Sequence, residues 1–282
     1  MSEIRQRWRL IFARDDEARY LSHLDAVHLW ERAFRRGEIP LATSEGFNPR
    51  PKLVFAAPLQ LGMLAERDLA DLFLAERLTS PEMRRRLAAG MPSGYRVVDL
   101  HDVWIGAPAL APQLAAADYR VTLFNVMQAD LAAAASKLMA AEELPRQRHR
   151  EKRTISYDLR PLLLDIQVRA PDPAFIAEGA AAPADAGVDA VTLWLRLRHS
   201  QDGGSGRVEE VVAALAGELG MTTRLPSVSG GTTSEPDEVL EGAAAMPLLE
   251  AVGAVRECLW LSDELESAEI RFGPSSSSRD GV

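Results

Sequence analysis

The sequence predicts an α+β fold of two tandem antiparallel sheets, each carrying two helices on one face. Three observations carry that expectation. Periodic segments in the first hundred residues follow the order β-α-β-β-(β)-α-β, which generates a split βαβ unit, and the order recurs less cleanly from Tyr119 onward. The composition, 47% hydrophobic and 26% charged over 282 residues, is that of a packed globular chain.

The elements follow in order. Arg7 to Ala13 is short and rich in strand formers, and Asp15-Asp16-Glu17 stops it. A helix follows, with Ser22 as its cap, Asp25 in capping-box position, an apolar stripe of Leu24, Val27, Leu29, Ala33 and Phe34, and Gly37 at its end. Ile39 to Thr43 is a short extended piece, Ser44 to Pro51 a loop, and Lys52 to Ala56 a strand. Leu59 to Gly62 turns, and Asp68 to Leu74 is another strand. Pro81 sits at the start of a helix over 82–89, before a strand over 95–100.

In the second half, strands are expected over 119–124, 154–157, 162–168, 191–198 and 222–225, with helices over 128–141 and 208–219. The architecture is thus two tandem ferredoxin-like (split βαβ) domains, 1–108 and 109–227, the second carrying a flexible insertion at 171–189. Residues 228–282 are expected to be an accessory segment, with a helix over roughly 247–256 and a disordered tail from Gly273.

The net charge of −9 excludes a uniformly basic nucleic-acid binder. It is unevenly spread, because residues 1–169 carry 25 basic and 22 acidic side chains while residues 170–282 carry 7 and 19. Any polyanion would have to meet the first 169 residues. The single cysteine, Cys258, excludes an internal disulfide framework and any iron–sulfur cluster or zinc ribbon built from the chain's own thiolates. No signal-peptide or membrane-spanning run is present, so a cytoplasmic protein without membrane contact is expected.

The loop Ser44-Glu45-Gly46-Phe47-Asn48-Pro49-Arg50-Pro51-Lys52 is the most informative stretch. Two prolines stiffen it, and Asn48, Arg50 and Lys52 offer three kinds of donor suited to phosphate or carboxylate capture. Gly46 permits a turn or a close approach to a ligand. The bland alternative is a structural loop whose cations are solvated or pair with Asp68 and Glu66. His23 begins the first helix; it is either a satisfied structural histidine or a substrate contact beside this loop. Its separation from His28 is wrong for two metal ligands on one helical face, and no metal or catalytic set is expected.

Arg146 to Arg153 holds five basic residues in eight, so that Arg148, Arg150 and Lys152 would share one strand face and could track a phosphate backbone. A solvated hairpin end is the competing reading. Arg5, Arg7 and Arg9 alternate around Trp8 in the same way, without an RNA-recognition-motif aromatic signature. The Gly203 to Arg207 turn reads as a plain connection into a helix whose first turn already carries Glu209 and Glu210.

The segments Tyr20-Leu21-Ser22-His23-Leu24-Asp25, Thr43 to Lys52 and Pro58-Leu59-Gln60-Leu61-Gly62 resemble the radical-SAM-linked family, domain of unknown function 2344. Weaker matches are Tyr157-Asp158-Leu159-Arg160-Pro161-Leu162 and Gly203 to Val211, where Val208 departs from a proline usual in the family. The resemblance covers about residues 5–225. It implies a partner, a radical SAM protein fused to or encoded beside family members, and it adds Ser44 and Arg160 to the substrate-binding candidates. It implies no cofactor on this chain.

The expected function is therefore an accessory protein that binds RNA or a nucleotide-bearing substrate for a radical SAM enzyme. Two alternatives stand beside it. One is a protein-interaction scaffold without nucleic-acid binding; the other is a metal-independent ribonuclease of the repeat-associated type with His23 as general base.

Overall fold

A computed structural model describes residues 3–44, 47, 49–150, 153–170, 190–200, 204–224 and 248–267. The fold is mixed α+β, with a large sheet and few helices. The strands are β1 (Gln6–Arg14), β2 (Leu53–Phe55), β3 (Leu64–Leu74), β4 (Tyr95–Val103), β5 (Leu114–Phe124), β6 (Pro145–Arg150), β7 (Arg153–Asp158), β8 (Leu163–Arg169), β9 (Val191–Ser200), β10 (Gly204–Ser205), β11 (Thr222–Arg224) and β12 (Leu248–Leu261). The helices are α1 (His23–Arg36), α2 (Ser80–Gly90), α3 (Gln128–Ala140), α4 (Val208–Leu219) and the short α5 (Ser262–Ser267).

Ten strands form one sheet with the path β10-β9-β5-β12-β3-β1-β4, while β6 and β7 make a separate hairpin. In the first half β2, β3, β1 and β4 are neighbours in that order and all antiparallel. In the second half the order is β8, β9, β5, β12, again antiparallel throughout. Each is the strand order that a split βαβ chain path produces. The halves meet where β12 runs parallel to β3 at Val255–Leu64 and Arg256–Ala65.

Local chemistry explains the elements. Ser22 Oγ accepts from the Asp25 N–H and donates to the Asp25 carboxylate, which fixes the start of α1. Ala26, Trp30, Ala33 and Phe34 recur at helical spacing and are all buried, packing with Met83 and Leu87 of α2 on Trp8, Leu10 and Phe12 of β1. The α3 and α4 faces, led by Leu131, Leu138, Val211 and Leu215, cover Tyr119, Val121 and Leu123 of β5. The opposite face of the sheet carries internal ion pairs. Arg7 and Arg9 both grip Asp71, and Arg196 makes a two-pronged pair with Asp118 at 2.7 Å on each oxygen.

The helix expected over 247–256 is a strand instead, and it lies in the middle of the sheet. Register shifts between Ala251 and Gly253, Arg256 and Cys258, and Trp260 and Leu261 break its two-residue alternation. That hides the strand period from sequence reading, and pairing with β5, β3 and β11 overrides the Ala-rich helical propensity. The fourth strand of the second half is accordingly β12, not the 222–225 segment. The insertion at 171–189, the 228–241 segment and the tail from Gly273 lie outside the described residues. No helix among the described residues is long and apolar enough to cross a membrane.

Candidate functional site

The join between the halves carries a polar row beside the shared apolar core. Directly paired residues run across five strands as Tyr119 (β5), Arg256 (β12), Ala65 (β3), Arg14 (β1) and Tyr95 (β4). Paired residues share a face, here the helix side of the sheet. A bulge puts Asp68 opposite Phe12 while Ala65 is opposite Arg14, which returns Asp68 to that face. The result is a row reading tyrosine, arginine, aspartate, arginine, tyrosine.

Arg256 is 2% exposed and fully engaged. Its Nε and Nη2 donate to the two Asp68 oxygens at 2.7 and 2.6 Å, Nη2 also donates to Ala57 O at 3.2 Å, and Nη1 donates to Pro58 O at 3.1 Å. Tyr119, paired with Arg256 across the strands, lies beside it, and burial raises the Tyr119 pKa. Arg14 is also structural, donating to the carbonyls of Ala18, Arg19 and Leu21 at 2.6–2.8 Å.

Two cavities flank this row. The smaller, about 20 Å³, is lined by Phe12, Arg14, His23, Phe55, Asp68 and Tyr95, among others. It has room for about one water. The larger, about 220 Å³, is lined by Pro58, Gln60, Met63, Tyr119, His199, Ser205, Gly206, Arg207, Val208 and Arg256. Segments 58–63 and 205–208, distant in sequence, thus converge on one cavity. Gly62 lets the first segment turn, with φ of 79°, and exchanges backbone and Nε hydrogen bonds with Arg19 at 3.0 Å each. Gly206 permits close passage, since a Cβ there would lie 3.0 Å from Leu162 O and 3.1 Å from Leu197 Cβ.

The candidates named from sequence are not gathered in one place. His23 opens α1, its ring edge-on to Phe55 at 5.7 Å, and burial lowers its pKa. Ser44 closes the base of its loop: its N–H donates to Arg50 O at 2.8 Å, and its Oγ accepts from the Arg50 N–H at 3.0 Å. Phe47 is fully exposed at the tip and the Arg50 side chain is exposed. Gly46 and Asn48 lie outside the described residues.

Lys52 sits 5.0 Å over the Phe73 ring, on the sheet face opposite His23. Neither Asp68 nor Glu66 pairs with the loop; Asp68 holds Arg256, and Glu66 lies 3.5 Å from Arg96.

Arg148 in β6 donates to Glu210 of α4 through Nε at 2.9 Å and Nη2 at 2.5 Å, and covers the Tyr157 ring at 5.1 Å. The basic hairpin is therefore tied to α4 at this residue. Arg150 is placed only as a residue of β6, and Lys152 lies outside the described residues. Arg160 is spent internally, donating to Met139 O, Ala141 O and Leu163 O at 2.7–3.2 Å, which closes the carbonyl end of α3. Arg7 and Arg9 are likewise buried on Asp71, so the first strand offers no basic track.

Sequence reading missed Tyr119, His199 and Arg256. The one available signal was a charged or polar side chain at an inward strand position, as in Arg14, Asp68 and Arg256, since such groups persist only when paired. Nothing in sequence joins Asp68 to Arg256, 188 residues away.

Fold and seam define an α+β protein whose two antiparallel halves close on a polar, arginine-centred join. The family described as "Uncharacterized protein conserved in bacteria (DUF2344)" matches residues 7–197, and the chain belongs to it. No curated protein matches it. Among solved structures, the archaeal box H/ACA sRNP Nop10-Cbf5 complex aligns at 11% identity and a TM-score of 0.35, covering 86% of this chain and 48% of that one. A Cbf5-Nop10-Gar1 complex aligns at 9% and 0.37, covering 88% and 52%. An unknown protein from Galdieria sulphuraria aligns at 12% and 0.23, covering 76% and 94%. The chain spans about half the length of the first two.

Proposed function

We propose that this chain is an accessory binding protein that holds RNA, or a nucleotide-bearing substrate, for a radical SAM protein that performs the chemistry. The observation that carries the binding half is the tip of the 44–50 loop. It is closed at its base by the reciprocal Ser44–Arg50 bonds and offers a fully exposed Phe47 with an exposed Arg50 three residues on. An aromatic face accepts an unstacked base of any identity, and an adjacent guanidinium takes the phosphate. The prolines on either side of Arg50 limit the freedom lost on binding.

The partner half rests on the resemblance to the radical-SAM-linked family and on the single cysteine, which leaves a thiolate-held cluster to another polypeptide. The same reading takes each half as a ferredoxin-like unit, supported by the matching antiparallel strand orders on either side of the β12–β3 join.

A scaffold without nucleic-acid contact is the second reading. It is favoured by the wide separation of His23, Lys52, Arg148 and Arg160. Fluorescence anisotropy with a labelled single-stranded RNA separates the two. The proposal expects saturable binding that weakens with salt and falls about tenfold in Phe47→Ala, in line with the ~1–3 kcal/mol of a base–aromatic stack. Absence of binding at low salt, alongside co-purification with the radical SAM protein, establishes the scaffold instead.

A further inference from the structure

We propose that the cavity of about 220 Å³ at the start of α4 is a separate binding site for a small phosphate monoester. It is an order of magnitude roomier than the ~10–15 Å³ one water occupies, and among the described residues no carboxylate lines it. Its polar lining consists of Tyr119, His199, Gln60, Ser205, Arg207 and Arg256.

Three features make this a donor-rich site. Arg256 is engaged by Asp68, Ala57 and Pro58 through all three of its nitrogens, and the Tyr119 hydroxyl beside the cavity has a hydrogen to donate to a ligand. Tyr119 is 7% exposed, and beside the cavity that donor has a ligand's oxygen as its natural acceptor. The His199 ring, half-buried at the cavity wall, hydrogen-bonds to no described residue. The third is the start of the twelve-residue α4, whose N-cap Arg207 makes no side-chain cap, so the Arg207–Val208 edge brings uncapped backbone N–H groups to the cavity wall.

The charged groups at the cavity are paired in this state, Asp68 with Arg256, and Glu209 with Arg207 at 3.6 Å and Gln60 at 3.3 Å. The partly exposed Arg207 guanidinium would exchange Glu209 for a phosphate oxygen on binding. The volume beyond the phosphate accommodates the organic group of the ester. This site is independent of the RNA-contacting loop.

Isothermal titration calorimetry of the full chain with ribose 5-phosphate tests the assignment, with ribose as the uncharged control. Expected is saturable binding of ribose 5-phosphate and none of ribose, weakened at least fivefold in Tyr119→Phe and in Arg207→Gln, and unchanged in Phe47→Ala. Arg207→Gln keeps the test open should Tyr119→Phe fail to fold, because Arg207 is half-exposed. No saturable binding, or equal affinity in both cavity variants, overturns the site while leaving the RNA reading untouched.

Discussion

Replacing Asp68 by alanine should damage the join between the halves more than any surface change. Among the described residues the strands of the two halves pair at Val255–Leu64 and Arg256–Ala65, and the Asp68–Arg256 pair adds a buried polar link beside the shared core. Asp68 is 4% and Arg256 2% exposed, and the two meet through parallel bonds of 2.6 and 2.7 Å. Removing the carboxylate leaves a buried guanidinium with only the Ala57 and Pro58 carbonyls as partners, a loss of about 3–5 kcal/mol. At roughly 2–4 °C per kcal/mol for a chain of this size, Tm should fall by about 6–20 °C. The assay is urea and thermal unfolding followed by circular dichroism. The double variant Asp68→Leu with Arg256→Met, which removes both charges, should recover part of the loss. A loss below about 1 kcal/mol in Asp68→Ala, or no recovery in the double variant, refutes the claim that this pair locks the seam.

Three further outcomes follow from the same geometry. Arg160→Ala should destabilise by about 2 kcal/mol or more, because three carbonyls lose a charged donor, and should leave RNA binding unchanged; urea unfolding and anisotropy together check it. His23, through burial, and His199, through burial and then Arg256, are both held below the ordinary histidine value. The unfolded chain therefore takes up these protons first, and stability should fall as pH drops below about 6.5, less steeply in His23→Gln and His199→Gln. A stability profile flat from neutral pH to pH 5 contradicts this. Cys258, its thiol pushed up to about 12 chiefly by burial, should react with iodoacetamide at pH 8 far more slowly than free cysteine, by mass spectrometry of timed samples.

Local chemistry was legible where a pattern is short-range. The Ser22 cap, the helix stripe of α1, the proline start of α2 and the whole of α4 were read from residues within a few positions of one another. The central strand β12 was not, because three register shifts erase its alternation and its stability comes from neighbours far away in sequence. The same limit governed the site. The stiff loop from Ser44 to Lys52 stood out, yet Arg148 and Arg160 gave no sign that Glu210 and the α3 carbonyls would claim them. The cavity at α4 depended on bringing together the 58–63 and 205–208 segments, which only the fold supplies.

The central claim is that RNA is met at the tip of the 44–50 loop. Ultraviolet crosslinking of the full chain to a 4-thiouridine-containing single-stranded RNA, followed by mass spectrometry of the attached peptides, tests it most directly. The account predicts adducts on the peptide that carries Phe47, lost in Phe47→Ala. Adducts confined to other segments, or none at low salt, would contradict it.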